Sequence, residues 1–195
     1  MEETTMAIET PSYNVEKKED DFEIRTYSAY ILAQVDVASD FDSALRNGFE
    51  ILAHYIFGGN RKKESISMTA PVSEEIPMMA PVTSEKISMT APVSEERAGD
   101  RAHRISFAMP LKFTLETLPE PLDPRITFKV VESRRTAAIR FSGRVHEKLA
   151  SQKTEELRAW LARNGIVPKS NFVVALYNPP FIPGIFRRNE IIVDI

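Results

Sequence analysis

Apolar and polar residues alternate along much of this chain, which is the pattern of strands that bury one face. The predicted strands are residues 13–18, 22–27, 30–37, 103–109, 126–131, 136–141, 172–177 and 191–195. We expect the first three to form an antiparallel meander. We expect the two strands on either side of residues 132–135 to form a further pair.

Two longer segments change to the helical period. The first helix is predicted to begin after the N-cap pair Ser39-Asp40, to run to about Phe57, and to end at the Gly-Gly-Asn sequence of residues 58–60. Its predicted buried face comprises Phe41, Ala44, Leu45, Gly48, Leu52, Tyr55 and Ile56. The second helix is predicted from about His146 to Asn164. Its predicted buried residues are Leu149, Ala150, Leu157, Trp160 and Leu161.

The first helix carries a second stripe beside its core face. Arg46, Phe49, Ala53 and Phe57 recur at helical spacing on a side that should face solvent. Exposed apolar surface of this kind often marks a binding site. The alternative is that another part of the chain covers the stripe, and the sequence leaves both open.

Residues 64–96 contain one motif in three copies, at residues 66–72, 76–82 and 87–93, with a period of about ten residues. Each copy is predicted to be a strand with its proline near the strand exit, and the Ser-Glu-Glu clusters are predicted turns of a ribbon. The three copies together contain four methionines, Met68, Met78, Met79 and Met89. They could be thioether ligands for a soft ion such as Cu(I), although methionines at alternating strand positions are more often core residues. The ribbon is also a candidate surface for homo-oligomer formation.

The order strands, helix, strands occurs twice along the chain. We therefore predict an α+β fold in which two helices pack on a curved antiparallel sheet or an open barrel. Two pseudo-repeated halves are inferred from this order alone. Residues 1–11 are expected to be a disordered leader, and residues 12–195 a single domain with the ribbon inserted in it.

Composition removes several classes of function. The net charge of −3 gives no reason to expect a nucleic-acid partner. The chain has no cysteine, which excludes a disulfide framework, a thiolate nucleophile and cysteine-ligated metal centres. It shows neither a signal peptide nor an apolar run of transmembrane length, so we expect a cytoplasmic protein without a membrane partner. Nucleotide-binding and nucleophile-elbow motifs are absent, so we expect no enzymatic activity.

Four short motifs together resemble the SOUL family of haem-binding proteins. They are Tyr13 and Val15 before Phe22-Glu23-Ile24-Arg25-x-Tyr27; Phe41-Asp42-Ser43-Ala44; Met68-Thr69-Ala70-Pro71-Val72; and Tyr177-Asn178-Pro179-Pro180 with Arg187-Arg188-Asn189-Glu190. They occur in the family's order and span nearly the whole chain.

This resemblance implies a distorted antiparallel β-barrel of two halves, each with one helix, as in the effector-binding domains of certain bacterial transcription regulators. It also implies non-covalent binding of haem or free porphyrin on the outer surface of the first helix. The predicted binding residues are Arg46, Phe49, Ala53, His54, Phe57, Phe181, Arg187 and Arg188. The arginines would contact the propionates. Some family members offer a histidine where this chain has Thr26, so we expect weak or no axial ligation of the iron.

Other residues offer alternatives for the chemistry. His54 lies beside the apolar stripe and either reaches a haem iron or is a solvated surface residue, whereas His103 and His146 are predicted to be surface residues. Four tyrosines, Tyr27, Tyr30, Tyr55 and Tyr177, are conceivable phenolate ligands. The Arg-Asn-Glu sequence of residues 188–190 is predicted to have a structural role rather than an anion-binding one. A ligand-binding or interaction module that does not bind haem remains the alternative function, and a small hydrolase is a further one by fold analogy.

Overall fold

We analysed a computed structural model, which describes residues 9–76, 102–178 and 182–195. The strands in these ranges are β1 (Tyr13–Glu19), β2 (Phe22–Tyr27), β3 (Tyr30–Ala38), β4 (Val72–Ile76), β5 (Ala102–Ala108), β6 (Thr127–Val131), β7 (Arg134–Phe141), β8 (Phe172–Leu176) and β9 (Asn189–Asp194). The helices are α1 (Phe41–Ile56), α2 (Glu147–Arg163) and a short 3₁₀ helix (Gly184–Phe186).

The strands form one curled antiparallel sheet in the order β1-β2-β7-β9-β8-β4-β5-β3-β6. The α1 half of the molecule consists of β3, α1, β4, β5 and β6, which are contiguous along the chain. The α2 half consists of β1, β2, β7, α2, β8 and β9. The halves meet where β4 pairs with β8, from Val72↔Leu176 to Ile76↔Phe172. The prediction of an α+β fold with two helices on a curved antiparallel sheet is confirmed.

The predicted strand pairings were wrong in two places. Strand β3 pairs with β5 and β6 instead of continuing a meander from β2, and β2 pairs with β7. The predicted pair at residues 126–131 and 136–141 is also split, because β6 belongs to the α1 half and β7 to the α2 half. Alternation shows which face of a strand is buried, but it carries no information about the neighbouring strand.

Each helix covers its own part of the sheet on the same side. Helix α1 packs on β3 and β5, and α2 packs on β7 and β9. The α1 core includes Leu52, Tyr55, Ile56, Ile105 and Phe107. The α2 core includes Leu157, Trp160, Leu161, Phe172 and Ile191. Both predicted helix faces are therefore correct, with Leu45 and Leu149 half-buried at their margins.

Local signals explain where α1 begins and how closely it packs. Oδ1 of Asp40 accepts a hydrogen bond from the backbone N–H of Ser43 at 3.0 Å, which is the predicted N-cap. At Gly48 the helix approaches β5 so closely that an added Cβ would lie 2.4 Å from Cγ1 of Ile105. The glycine is therefore required by packing, although glycine is a poor helix residue.

Replacing Gly48 by alanine is expected to destabilise the protein by about 1–3 kcal/mol, because the methyl group overpacks the contact with Ile105. The same change usually stabilises a helix by about 1 kcal/mol, so the sign is diagnostic. Denaturant unfolding followed by circular dichroism measures the effect, with Asn47→Ala as the control at the adjacent exposed position. A gain in stability for Gly48→Ala would contradict this packing account.

The first copy of the repeated motif is not the strand that we predicted. The backbone N–H of Ile66 donates to the carbonyl of Ile56 at 2.7 Å, and the Thr69 hydroxyl donates to the carbonyl of Ala108. Residues 66–70 thus pass over the end of α1 without joining the sheet. The following Ser73-Glu74-Glu75 sequence, predicted to be a turn, lies inside β4.

Other predictions about this region concern residues beyond the described ranges. They include the second and third copies of the motif, with Met78, Met79 and Met89, and residues 1–8 of the predicted leader. Within the described ranges, Met68 is exposed and Pro11 is buried. In the same ranges, no helix is long and apolar enough to cross a membrane.

Candidate functional site: the outer surface of helix α1

One side of the solvent-facing surface of α1 is apolar. It carries Arg46, Phe49, Ala53 and Phe57, and we call it the apolar flank. Phe57 is 66% exposed, and Arg46 is also exposed. Ala53 and Phe49 are half-buried, and the Phe49 ring meets the Phe107 ring edge-on with centroids 5.4 Å apart. Along the helix, the flank therefore begins with the Arg46 cation, continues with the packed Phe49 ring and ends with the exposed Phe57 ring.

The opposite side of this surface borders a shallow groove. Asn47, Glu50, Ile51 and His54 of α1 line it together with Val37, Asp123 and Arg125, around a volume of about 470 Å³. The Arg125 guanidinium binds Asp123 through two nitrogens, with Nη2 at 2.6 Å from Oδ2 and Nε at 3.0 Å from Oδ1. This hydrogen bonding holds the pKa of the Asp123 carboxyl below its usual value. The groove is polar, in contrast to the apolar flank.

His54 lines the groove on the side nearer the apolar flank. Its ring packs against Gly59, where an added Cβ would lie 2.4 Å from Cδ2 and 2.7 Å from Nε2 of the imidazole. The Nε2 edge therefore faces the backbone of the Gly59 turn. Coordination of an iron through Nε2 would require the ring to rotate away from this glycine.

The other two histidines have different roles. His146 is exposed and caps α2, with its Nδ1 accepting a hydrogen bond from the backbone N–H of Leu149 at 3.4 Å. His103 was wrongly predicted to be a surface residue, since only 12% of its side chain is exposed and its Nδ1 lies 2.7 Å from Oε1 of Glu74. Within the described ranges, no three His, Cys, Asp or Glu residues are grouped as a metal site.

Glu74 is a buried carboxyl group in a segment that we predicted to be a turn. It is fully buried on the helix-facing side of β4, and burial raises the pKa of its carboxyl to about 8. The negative charges of Asp42 and Glu147, near the starts of the two helices, raise this pKa further. Its side chain shares a face with Val72 and Ile76, so strand alternation across residues 72–76 was a usable signal.

The face of the sheet away from the helices holds a buried ionic network. The Arg25 guanidinium binds Glu190 with Nη1 at 2.6 Å from Oε2 and Nη2 at 2.9 Å from Oε1. Arg188 binds the same carboxylate with Nη2 at 2.8 Å from Oε1, and the Tyr177 hydroxyl donates to Oε2 at 2.9 Å. Burial alone would raise the pKa of Glu190, but the two arginines outweigh it and the pKa lies below its usual value.

The tyrosines are poor candidates for phenolate ligands. The Tyr55 hydroxyl donates to the carbonyl of Pro119 at 2.9 Å, and burial raises the pKa of Tyr55 to about 12. Burial likewise raises the pKa of Tyr27 to about 12 and the pKa values of Tyr30 and Tyr177 above their usual value. All four hydroxyls are therefore expected to stay protonated near neutral pH.

The structure separates the residues that we predicted to bind together. Arg46, Phe49, Ala53, His54 and Phe57 share the outer surface of α1. Arg188 and Glu190 lie on the other face of the sheet, because Glu190 alternates with Ile191, which packs in the α2 core. Nε of Arg187 donates to the carbonyl of Ile182 at 2.7 Å. These bonds agree with the predicted structural role of residues 188–190, while Phe181 is outside the described ranges.

The curled antiparallel sheet with two helices on one face defines a class of small α+β proteins. The model of the SOUL heme-binding protein family matches residues 8–194, so this chain belongs to that family. A curated relative is heme-binding protein 2 from Homo sapiens, 37% identical over 75 residues. That match covers 36% of this chain and 37% of the human protein, so the chain spans little more than a third of the relative's length.

Solved structures share the fold at low sequence identity. The C-terminal domain of EcmrR has a TM-score of 0.62 and 12% identity, over 93% of this chain and 96% of that one. A hydrolase from Listeria innocua has a TM-score of 0.55 and 10% identity, over 91% and 93% of the two chains. At these identities the similarity concerns the fold alone.

Proposed function

We propose that the protein is a non-enzymatic binder of haem or a related tetrapyrrole, and that the ligand lies on the apolar flank of α1. Family membership supports the class of ligand. The observation that carries the position is Phe57, a large aromatic side chain that is 66% exposed and in line with Phe49, Ala53 and Arg46. An isolated exposed apolar residue would need no explanation, but here it continues a stripe.

The side chains of the flank suit such a ligand. A porphyrin requires an apolar surface for its ring and cations for its propionates. From Arg46 to Phe57 the flank extends about 16 Å along the helix, which is long enough for a flat macrocycle. Phe57 and Ala53 would contact the ring, and Arg46 would pair with a propionate at its edge.

Helix α2 provides an internal comparison. It also packs on the sheet through one face, but its exposed apolar side chains are only the methyl groups of Ala159 and Ala162, beside polar residues such as Ser151, Gln152 and Glu155. Nothing in packing on a sheet therefore requires an apolar outer surface. This contrast supports a functional rather than a structural reason for the apolar flank.

The bound group would supply the iron, and we propose that the protein ligates it weakly or not at all. The Thr26 hydroxyl is hydrogen-bonded to Glu16 on the edge strand of the α2 half. The imidazole of His54 is packed against Gly59. Binding would then depend on the porphyrin ring and its propionates, so haem and iron-free protoporphyrin should bind with similar affinity.

Replacing Phe57 by glutamate is expected to weaken the binding of both haem and iron-free protoporphyrin by about 10- to 100-fold, because it removes about 1.5–3 kcal/mol of apolar contact. Titration of the Soret band measures the effect. Val167→Glu is the matched control, since Val167 is 76% exposed and lies beyond the end of α2. Equal losses in the two variants would argue against a site on α1.

Two further variants separate propionate contact from ligation in the same titration. Arg46→Glu should weaken binding, whereas Arg163→Glu, which reverses an exposed charge at the end of α2, should not. His54→Ala should leave the Soret spectrum of bound haem unchanged. Saturable binding of neither haem nor protoporphyrin by the unaltered protein would overturn the proposed function.

We also propose that the protein is not an enzyme, and this proposal rests on the position of Glu74 and His103. Glu74 and His103 are the pair in the described residues that most resembles an acid–base dyad. Glu74 is fully buried under the helices, and neither residue lines the groove beside α1. A substrate would have no access to its carboxyl group.

We further propose that the two halves are a structural repeat. Each half contains the chain order strand, helix, strand, strand, namely β7-α2-β8-β9 and β3-α1-β4-β5. These strands lie at mirrored positions in the sheet order β2-β7-β9-β8-β4-β5-β3-β6, to which β1 adds an edge strand. This arrangement supports a pseudo-twofold axis between β8 and β4.

A further inference from the structure

The face of the sheet away from the helices encloses a second hollow, at the junction of the two halves. The central strands β4, β5 and β8 present small side chains there, namely Ser73, Ser106, Ala108 and Ala175. Because these side chains do not fill the curl of the sheet, a cleft of about 130 Å³ remains above them. We call it the concave cleft.

Aromatic side chains form the walls of the concave cleft. Tyr27, Tyr30 and Tyr177 line it, together with apolar residues that include Leu32 and Ile192. The Tyr27 hydroxyl accepts from Nη1 of Arg25 at 3.2 Å, and the Tyr30 hydroxyl accepts from Nη2 of Arg134 at 2.7 Å. Tyr177 is held by its bond to the Glu190 network. The rings are therefore fixed in place before any ligand enters, which reduces the entropy cost of binding.

One buried amide provides a polar contact in the cleft. Gln34 is only 9% exposed, and its Nε2 donates to Oγ of Ser106 at 3.1 Å. In the orientation that the structure records, Oε1 is the remaining acceptor of this amide. Among the described residues, none donates to that oxygen. An acceptor on the wall of the cleft with no protein donor can bond to a ligand that carries an N–H or an O–H.

The charges around the cleft balance one another. Nη1 of Arg134 lies 2.9 Å from Oδ1 of Asp194, so these two charges neutralise each other. Lys129 and Glu75 contribute one further charge of each sign, and Glu75 also accepts from Asn171 at 2.8 Å. With no excess of either sign, the cleft favours a neutral ligand over an ion.

We propose that the concave cleft binds a small, neutral, planar molecule of one or two rings that carries an N–H or O–H group, of the indole or phenol class. The cleft of about 130 Å³ is slightly smaller than the cavity of about 150 Å³ that holds benzene, so it would enclose one ring while a second ring extended toward its open side. A tetrapyrrole is far too large for it. The ring would lie against the tyrosines and its donor would bond to Oε1 of Gln34. The cleft and the apolar flank are on opposite faces of the sheet, so this site is independent of the proposed haem surface.

The test is a titration of the full ¹⁵N-labelled chain with indole, and with indene as the isosteric probe that lacks the N–H. Indole is expected to shift amide signals of β3, β5 and β8 saturably and to leave α1 unchanged. Indene is expected to bind at least about 10-fold more weakly, since one buried hydrogen bond is lost. Indene binding as tightly as indole, or no saturable shifts in these strands, would overturn the proposal.

Two variants assign the site within the same experiment. Ser73→Met should fill the floor of the cleft and abolish the shifts. Gln34→Met, which keeps the length of the side chain and removes the acceptor, should reduce indole binding to the level of indene. Dispersion of the remaining signals shows that each variant is folded. Unchanged indole binding in a folded Ser73→Met protein would also overturn the proposal, whatever the result of the haem titrations.

Discussion

Glu190→Ala is expected to lower the free energy of unfolding by about 3–5 kcal/mol, because it leaves Arg25 buried without its principal counter-ion. Arg25 is 1% exposed and Glu190 is fully buried. The guanidinium would keep its contact with Glu23, whose Oε2 lies 2.7 Å from Nε, but it would lose both bonds to Glu190. Denaturant unfolding at neutral pH measures the loss.

Asp36→Ala is the matched control for this prediction. Asp36 accepts two hydrogen bonds from Arg104 in the same forked geometry, at 2.7 and 2.9 Å, but both side chains are about half exposed. An exposed pair contributes only about 0–1 kcal/mol, so its loss should be small. A cost for Glu190→Ala no larger than that of Asp36→Ala would show that burial does not determine the effect.

A double variant separates the ion pair from the isolated charge. Replacing both Arg25 and Glu190 by methionine removes the two fully buried charges together, while Glu23 keeps Lys18 at 3.1 Å and the partly exposed Arg188 keeps the Tyr13 hydroxyl at 3.0 Å. The loss is then expected to be smaller than for Glu190→Ala alone. A larger loss would indicate that the network is needed for packing of the strands themselves.

Glu74→Gln is expected to stabilise the protein at alkaline pH, by on the order of 5 kcal/mol at pH 9. In the folded protein burial raises the pKa of Glu74 from 4.5 to about 8. Between these two pH values the unfolded chain has released the proton while the folded protein retains it. Unfolding therefore releases a proton, and the free energy of unfolding falls as pH rises across this window.

The variant should lose this part of the pH dependence and should differ little from the original protein near pH 4.5. Urea unfolding at intervals between pH 4.5 and 9 measures the profile. Glu75→Gln is the control at the next residue, because Glu75 points to the opposite face of β4 and contacts Asn171 and Arg104. An unchanged slope in Glu74→Gln would contradict a buried carboxyl that titrates near pH 8.

The elements of the fold were predictable because their signals are local. Asp40 is the N-cap of α1, and the glycines after Phe57 end it, so both boundaries follow from neighbouring residues. Strand pairing is different, since it depends on which apolar faces meet across the whole sheet. Residues 28 and 29 connect β2 of the α2 half to β3 of the α1 half. Their sequence contains no signal that the chain changes halves there.

The candidate site likewise combines features that local signals predict with features that depend on distant parts of the chain. The apolar flank could be predicted because helical periodicity alone places Phe57 and Arg46 on an outer surface. The sequence predicted a structural role for residues 188–190, but it could not identify Arg25 as the partner of Glu190, because the two residues are 165 positions apart. The concave cleft depends on curvature of the sheet, which brings Tyr30 and Tyr177 to one hollow from different halves.

The chain leaves the α2 half after β2 and returns to it at β7, and these two strands are neighbours in the sheet. Tyr27 is paired with Arg134 at the end of β2 and β7, and Tyr30 is paired with Val131 at the end of β3 and β6. In topological terms, everything from residue 28 to residue 133 is an insertion between two neighbouring strands. A turn of two to four residues could replace it and leave β2 and β7 as an ordinary hairpin.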